Sequence, residues 1–435
     1  MSIIIIIGAG AAGLQAGRHL SKAGNRVTVL EAASEPGGRI LPLAPRGFSK
    51  AVEGGAEFIH GPLPLSLELA KEAGVELQPV RAQLMRKPGA TGSNGAGDPD
   101  AAADGDWEGM LGDDWDELMQ QMEAMTEDMP FEDFLSLHFA GERYAGLRQS
   151  VRRFAEGYDL ADLHRVSTQS LYREWVREGE EEEYRPVGGY RRMIDFLVEE
   201  CRRAGAEVIC SSPVAEVHWQ KGSVEVLTAG GASFTADKLV VTVSLGVLAA
   251  GDLRFHPVLP VVDEAVRRLG YGSVVKIFLE FKNPFWLEKK AEGETIFVIS
   301  DQEIPVWWTQ TEADSRVLTG WLAGENMRRF QHLDEKGRLA SCLRSLAAIF
   351  YVEVGFLQRE LAASLVLDWA EAPFVRGGYS FDTVGAADAK ATLSRPVEDT
   401  IFFAGEVLYE GDAPGTVEAA FWSGRDVAEK IMARR

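Results

Sequence analysis

Cysteine is scarce in this chain of 435 residues, with Cys201, Cys210 and Cys342 its only examples. Three scattered thiols make neither a disulfide framework nor a metal-binding spacing, so no metal is expected and a reducing, cytoplasmic setting is the simplest reading. Long apolar runs are missing as well. Ile3–Ile7 is far too short to cross a bilayer, no signal peptide precedes it, and Arg435 follows soon after the last motif. A soluble protein with no membrane partner is expected. Basic charge is in deficit, with 45 Lys and Arg against 66 Asp and Glu and a net charge of −21. Nucleic acid and anionic membrane surfaces are therefore poor partners, whereas a cationic small molecule is compatible. The deficit is deepest over residues 98–133, which hold fourteen acids and no Lys or Arg.

Hydrophobic residues make up 46% of the chain and charged residues 26%, an ordinary globular balance, and the length calls for two domains. The first forty residues read as strand, glycine turn, helix and strand. The β-branched run Ile3–Ile7 leads into Gly8-Ala9-Gly10-Ala11-Ala12-Gly13. Gly8 permits the turn, Gly10 lets backbone approach a pyrophosphate, and Gly13 lets the next helix pack close to the sheet. That helix, residues 11–23, turns its N-terminal amides toward phosphate. Glu31 ends the second strand about twenty residues on, where an acid meets a ribose diol. Further along, residues 88–106 read as a surface loop. Trp107, Met110, Trp115, Leu118 and Met122 recur at helical spacing until Pro130, and residues 135–175 also read as helical. Residues 271–281 read as a strand with Val275, Ile277, Leu279 and Phe281 on one face and Lys276, Phe278 and Glu280 on the other. A last helix is expected from Gly415 through Met432.

Pro36-Gly37-Gly38-Arg39 follows Glu31 directly. With that Glu, the Gly-Gly-Arg resembles the flavin-containing amine oxidases: monoamine oxidases, polyamine oxidases, L-amino-acid oxidases and lysine-specific histone demethylases. The resemblance is strongest over residues 3–61, 186–220, 271–286 and 369–425. It implies an α/β (α+β) fold in which a Rossmann-like FAD-binding domain is assembled from residues 1–61, 186–254 and 397–435. A substrate domain of mixed sheet and helices, residues 62–185 and 255–396, is inserted between those pieces.

The implied cofactor is FAD. It should be noncovalent, because Gly378 stands where mitochondrial monoamine oxidases carry their flavin-linked cysteine. The glycine turn (Gly8, Gly10, Ala12, Gly13), Glu31, Gly38 and Arg39 would hold its dinucleotide part, with Val214 against the adenine. The resemblance places Gly55 and Ala56 beside the flavin ring and Gly405 and Glu406 at the ribityl chain. Gly415, Thr416 and Val417 would form the helix N-terminus that stabilises charge on the reduced ring.

Lys276 is implied to hold a water at flavin N5, Tyr379 to form one aromatic wall beside the amine, and His60 to hold the amine. Glu57, Phe58, His60 and Tyr379 would bind substrate. Phe58 stands where amino-acid oxidases place a carboxylate-binding Arg, and Thr416 where monoamine oxidases place a second aromatic wall. A polyamine or diamine is thus the first expected substrate and an aryl or alkyl monoamine the second. Oxygen would accept the electrons, and a monomer or homodimer is expected. A desaturase or porphyrinogen-type oxidase, or a flavin-binding interaction protein docking through its acidic helix, stays open on the residues.

Overall fold

The computed structural model describes residues 1–86, 114–178, 182–286, 294–310 and 314–434. The expected loop at 88–106 and the start of the acidic helix lie outside them. Five parallel strands form one sheet in the order Ile401–Phe403, Lys238–Val241, Ile3–Ile7, Arg26–Leu30, Glu207–Ile209. These strands are runs of Ile, Val, Leu and Phe because both faces are covered. Helices Ala11–Lys22, Arg191–Arg203 and Val417–Met432 bury Ile4, Ile6, Val27, Val29 and Phe402. Ile5, Ile7, Leu239 and Phe403 look the other way, toward a four-stranded sheet containing Val214–Gln220.

Helices Pro260–Arg268 and Ala386–Ser394, expected with the substrate domain, pack into that second core through Val262, Ala265, Val266, Ala389 and Leu393. Helix Pro64–Glu72 likewise joins the first core through Leu69 and Ala70. The apolar faces of these three helices thus pack in the cores on either side of the parallel sheet.

The other large sheet runs Leu361–Asp368, Val275–Phe281, Val317–Leu322, Val306–Thr309, Glu294–Ile299, Arg81–Arg86. All pairs are antiparallel except the last. Val275–Phe281 is buried at all seven positions. Val275, Ile277 and Leu279 pack with Leu343 and Leu346 of helix Glu335–Phe350. The opposite face is closed by residues 48–58, where Val52 packs on Phe278 and Ser49 N donates to Glu280. Lys276 is consequently 1% exposed.

The described part of the acidic helix spans Trp115–Glu123 and buries Trp115, Leu118 and Met122 against Trp175 and its neighbours. It ends short of Pro130 because the following residues pair elsewhere. Thr168 N donates to Met129 O at 3.1 Å and Gln169 N to Asp128 Oδ1 at 3.2 Å. The helical stretch beyond is Phe131–His138, Ala145–Gly157 and Thr168–Glu178, rather than one run.

Candidate active site

A cavity of about 1780 Å³ opens at the carboxyl ends of the parallel strands and extends between the two sheets. The position is where a parallel α/β sheet binds ligands. Gly8 leaves the first strand at φ +105°, and its amide donates to Leu30 O at 2.8 Å. Gly37 N reaches back to Ala9 O at 2.9 Å, closing Gly37-Gly38 against Gly10. A side chain at Gly13 would put its Cβ 2.0 Å from Gly8 O, so only glycine lets the helix start this close. Thr242, which the sequence reading did not single out, fastens the turn by donating to Ile7 O at 2.8 Å.

Glu31 is 6% exposed at the cavity wall. Its carboxylate accepts from Ala9 N at 2.7 Å and Ala33 N at 2.9 Å. Burial pushes the Glu31 carboxyl up, and these backbone bonds pull it part of the way back. A carboxylate has about four acceptor positions, so these backbone bonds leave room for a hydroxyl of a diol. Replacing Glu31 by alanine is expected to weaken FAD binding by about 1.5–3 kcal/mol. Titration of the apoprotein with FAD measures it, and an unchanged dissociation constant would remove Glu31 from the site.

Arg39 joins three distant segments. Its Nη1 donates to Gly378 O at 2.8 Å and to Glu406 Oε1 at 2.9 Å, and the other Glu406 oxygen accepts from Ser380 Oγ. Gly55 presses on Arg39 so closely that a Cβ there would lie 1.7 Å from Arg39 O. Ala56 N donates to the same carbonyl at 3.0 Å. Val214 lines the cavity where its strand bulges. Gly405, at φ +151°, and Gly415, at φ +69°, bring backbone to the wall. Thr416 caps the last helix, its Oγ1 accepting from Ala419 N, so helix begins at Val417 rather than Gly415.

The far end of the cavity is aromatic. The Tyr379 ring covers Gly415, its hydroxyl donates to Tyr158 O, and Trp321 stacks on it at 6.5 Å and 28°. Trp321 Nε1 is anchored on Gly157 O at 2.8 Å. Phe58 sits 5.9 Å from Phe297, 6.3 Å from Trp308 and 6.1 Å from His60. Thr416 brings no ring, and Trp308 and Trp321 supply aromatic wall that was not anticipated. His60 Nδ1 lies 2.7 Å from Glu183 Oε1. Burial alone would raise the Glu183 carboxyl, but His60 outweighs it and holds it below its usual range.

Lys276 and Glu57 differ most from expectation. Lys276 Nζ donates to Glu53 O at 2.7 Å, Gly55 O at 3.1 Å and Glu57 Oε2 at 2.8 Å. An ammonium has three donors, and all three are occupied by protein, leaving none for the implied water. Glu57 in turn meets Arg185 at 2.9 Å and Trp308 Nε1 at 3.3 Å. Burial would raise its carboxyl, yet Lys276 and Arg185 together hold it below the usual carboxylate range. Glu57, expected to bind substrate, lines the cavity with its carboxylate already engaged by Lys276, Arg185 and Trp308.

The cavity fits FAD: a glycine cradle and a helix N-terminus at one end, a second N-terminus midway, and volume beyond the roughly 300–1,000 Å³ of an ordinary pocket. None of the three cysteines lines it, so no thiol is placed to attach a flavin. Cys201 and Cys342 sit in cores, with burial pushing both thiols up to about 12.

Turn, cavity and aromatic end together define an FAD-binding oxidoreductase of two interleaved domains. The chain belongs to the flavin-containing amine oxidoreductase family, whose model matches residues 11–432. FAD, held noncovalently, is its cofactor. The chain is 27% identical to lysine-specific histone demethylase 1B of Mus musculus, over 99% of this chain and 53% of that protein. It is also 27% identical to polyamine oxidase 4 of Oryza sativa subsp. japonica, over 99% of this chain and 88% of the relative. The chain thus spans about half the length of the demethylase. A putrescine oxidase structure with putrescine bound superimposes at TM-score 0.79 and 21% identity, over 100% of this chain and 99% of that one. Cyclohexylamine oxidase from Brevibacterium oxydans IH-35A follows the same fold at TM-score 0.77 and 19% identity, over 100% and 99%. No single helix among the described residues is long and apolar enough to cross a membrane.

Proposed function

We propose that the protein oxidises a diamine or polyamine at the carbon beside one nitrogen. The amine loses a hydride and a proton to become an imine, water hydrolyses the imine to an aldehyde and a smaller amine or ammonia, and oxygen leaves as hydrogen peroxide. Bound FAD supplies the two-electron acceptor between amine and oxygen. The chain's own residues position and dry the amine. Tyr379, Trp321, Trp308 and Phe58 give apolar ring faces that exclude water, and that desolvation favours the unprotonated nitrogen that oxidation needs. His60, fixed through Nδ1 by Glu183, offers its ring to the same space. Phe58 brings no cation for a substrate carboxylate.

Glu156 carries the choice of a second nitrogen. It lines the cavity one residue before Gly157 and two before Tyr158, whose carbonyls hold Trp321 and Tyr379. Unlike that of Glu57, its carboxylate has no hydrogen bond or ion pair among the described residues. Burial pushes its carboxyl up; Arg328 opposes this, and Glu325 and Asp162 add to it. A distal ammonium would relieve that environment.

Anaerobic mixing of the yellow protein with putrescine, spermine, phenylethylamine and L-leucine should show fastest flavin bleaching by one of the first two. Glu156→Gln should raise KM for that substrate on the order of 10–100-fold, as loss of a charge-assisted bond predicts, and leave phenylethylamine unchanged. Fastest bleaching by L-leucine would sink the reading. A second reading, an alkyl or aryl monoamine, is favoured by the aromatic wall, and phenylethylamine bleaching first would select it.

A further inference from the structure

A separate cluster lies on the outer face of the four-stranded sheet in the nucleotide-binding body. Strands Val214–Gln220 and Arg254–His256 run parallel there, pairing Glu216 with Arg254, Val217 with Phe255 and His218 with His256. Val217 and Phe255 point into the core. Alternation then sends Glu216, His218, Arg254 and His256 to the outer face as a two-by-two array. Glu216 Oε1 accepts from Arg254 Nη2 at 2.7 Å, while Oε2 lies 3.1 Å from His218 Nε2 and 4.0 Å from His256 Nε2. The two imidazoles stack at 4.8 Å and 19°, and the three ligand atoms all fall within 4.8 Å of one another.

We propose that this array is a site for a divalent transition metal of the zinc class, bound by His218 Nε2, His256 Nε2 and Glu216 Oε2. Two imidazoles and one carboxylate are donors that such ions prefer over the all-oxygen sets of Mg²⁺ and Ca²⁺. Tetrahedral zinc at about 2.0–2.1 Å from each ligand needs the ligand atoms about 3.3 Å apart. Glu216 and His218 are already at 3.1 Å, and His256, at 4.0 Å, closes the remainder by rotating an exposed side chain. Arg254 holds the second carboxylate oxygen and so orients the ligand from the outer shell. The fourth position faces solvent and takes water. The metal would clip the strand at 254–256 to the strand that begins with Val214 at the cavity wall. Its consequence is structural, and it does not depend on the substrate reading above.

The test uses tag-free holoprotein stripped with a chelator and titrated calorimetrically with ZnCl₂. One equivalent should bind with a micromolar dissociation constant and raise the thermal midpoint. His218→Ala/His256→Ala should abolish that binding, and Glu216→Gln, which alters a ligand itself, should weaken it by at least the roughly 10–100-fold that loss of an outer-shell partner costs. All variants should keep their FAD content, since these side chains face outward. Cu²⁺ added to the parent should give an electron paramagnetic resonance spectrum with coupling to two imidazole nitrogens, a readout independent of any variant's folding. Absence of saturable binding by the parent, binding unchanged in the double variant, or a copper spectrum without nitrogen coupling would each overturn the site.

Discussion

Lys276→Met should lower the stability of the folded protein by about 3–5 kcal/mol, the usual cost of removing one partner from a buried ion pair. The substitution strips Glu57 of the ammonium at 2.8 Å and leaves the carbonyls of Glu53 and Gly55 without their donor. Methionine fills the stem but supplies no hydrogen. Glu57 would then rest on Arg185 and Trp308 alone. Lys276→Met/Glu57→Gln should lose less than the two single losses added together, because both substitutions break the same ion pair. The pH dependence has a definite sign. The folded state holds the Glu57 carboxyl below its ordinary value, so its contribution is complete above the unfolded pKa of about 4.3. That contribution disappears as pH falls through the lowered folded value, and parent and variant should converge toward acid. Urea unfolding at several pH values measures all of this. A Lys276→Met protein as stable as its parent at pH 7 would show that the network is not what holds residues 53–57 to the strand.

The second large effect is expected at Gly13. In Gly13→Ala the new methyl falls 2.0 Å from Gly8 O and 2.8 Å from Thr242 Oγ1. Neither atom is the loose end of a long side chain. Gly8 is tied to Leu30, and Thr242 to Ile7 and Gly8. The helix must therefore back away from the turn, taking with it the amides that face the pyrophosphate. FAD affinity should fall at least about tenfold, with about 1–3 kcal/mol of stability lost to overpacking. Gly146→Ala is the control, since its Cβ would meet nothing within 4 Å on an exposed helix. It should be neutral or stabilising by about 0.5–1 kcal/mol. Full FAD retention by Gly13→Ala would remove this glycine from the site.

What could be read from the sequence was local. The course from Ile3 to Glu31 was legible because strand, turn, helix and acid follow within thirty residues and each has its own signal. Lys276 was placed on the correct strand, but its surroundings come from residues 48–58, more than two hundred positions earlier. Nothing in a seven-residue alternation says that both faces will be covered. Trp321 is set beside Tyr379 by the pairing of Val306–Thr309 with Val317–Leu322 and by the anchor on Gly157. Neither is visible along the chain. Glu156 reads as an ordinary acid at a helix end, and becomes notable only because Tyr158 and Gly157 are gripped by the aromatic wall. The acidic helix ended early for a similar reason, since its continuation pairs with Thr168 and Gln169.

The strand order also imposes a schedule on synthesis. Ile3–Ile7 gains Arg26–Leu30 on one edge almost at once, but its other neighbour, Lys238–Val241, is made more than two hundred residues later. At about 5–20 residues per second, that edge of five isoleucines stays bare for roughly 10–40 s. Such an edge is a template for pairing with another chain. Ile401–Phe403 and the helix behind Thr416 arrive later still, so no nascent chain can close around its cofactor before residues 401–432 have been made. Yield in cells should thus respond to chaperones acting on the growing chain and to slower translation, while added riboflavin helps only what has already been released.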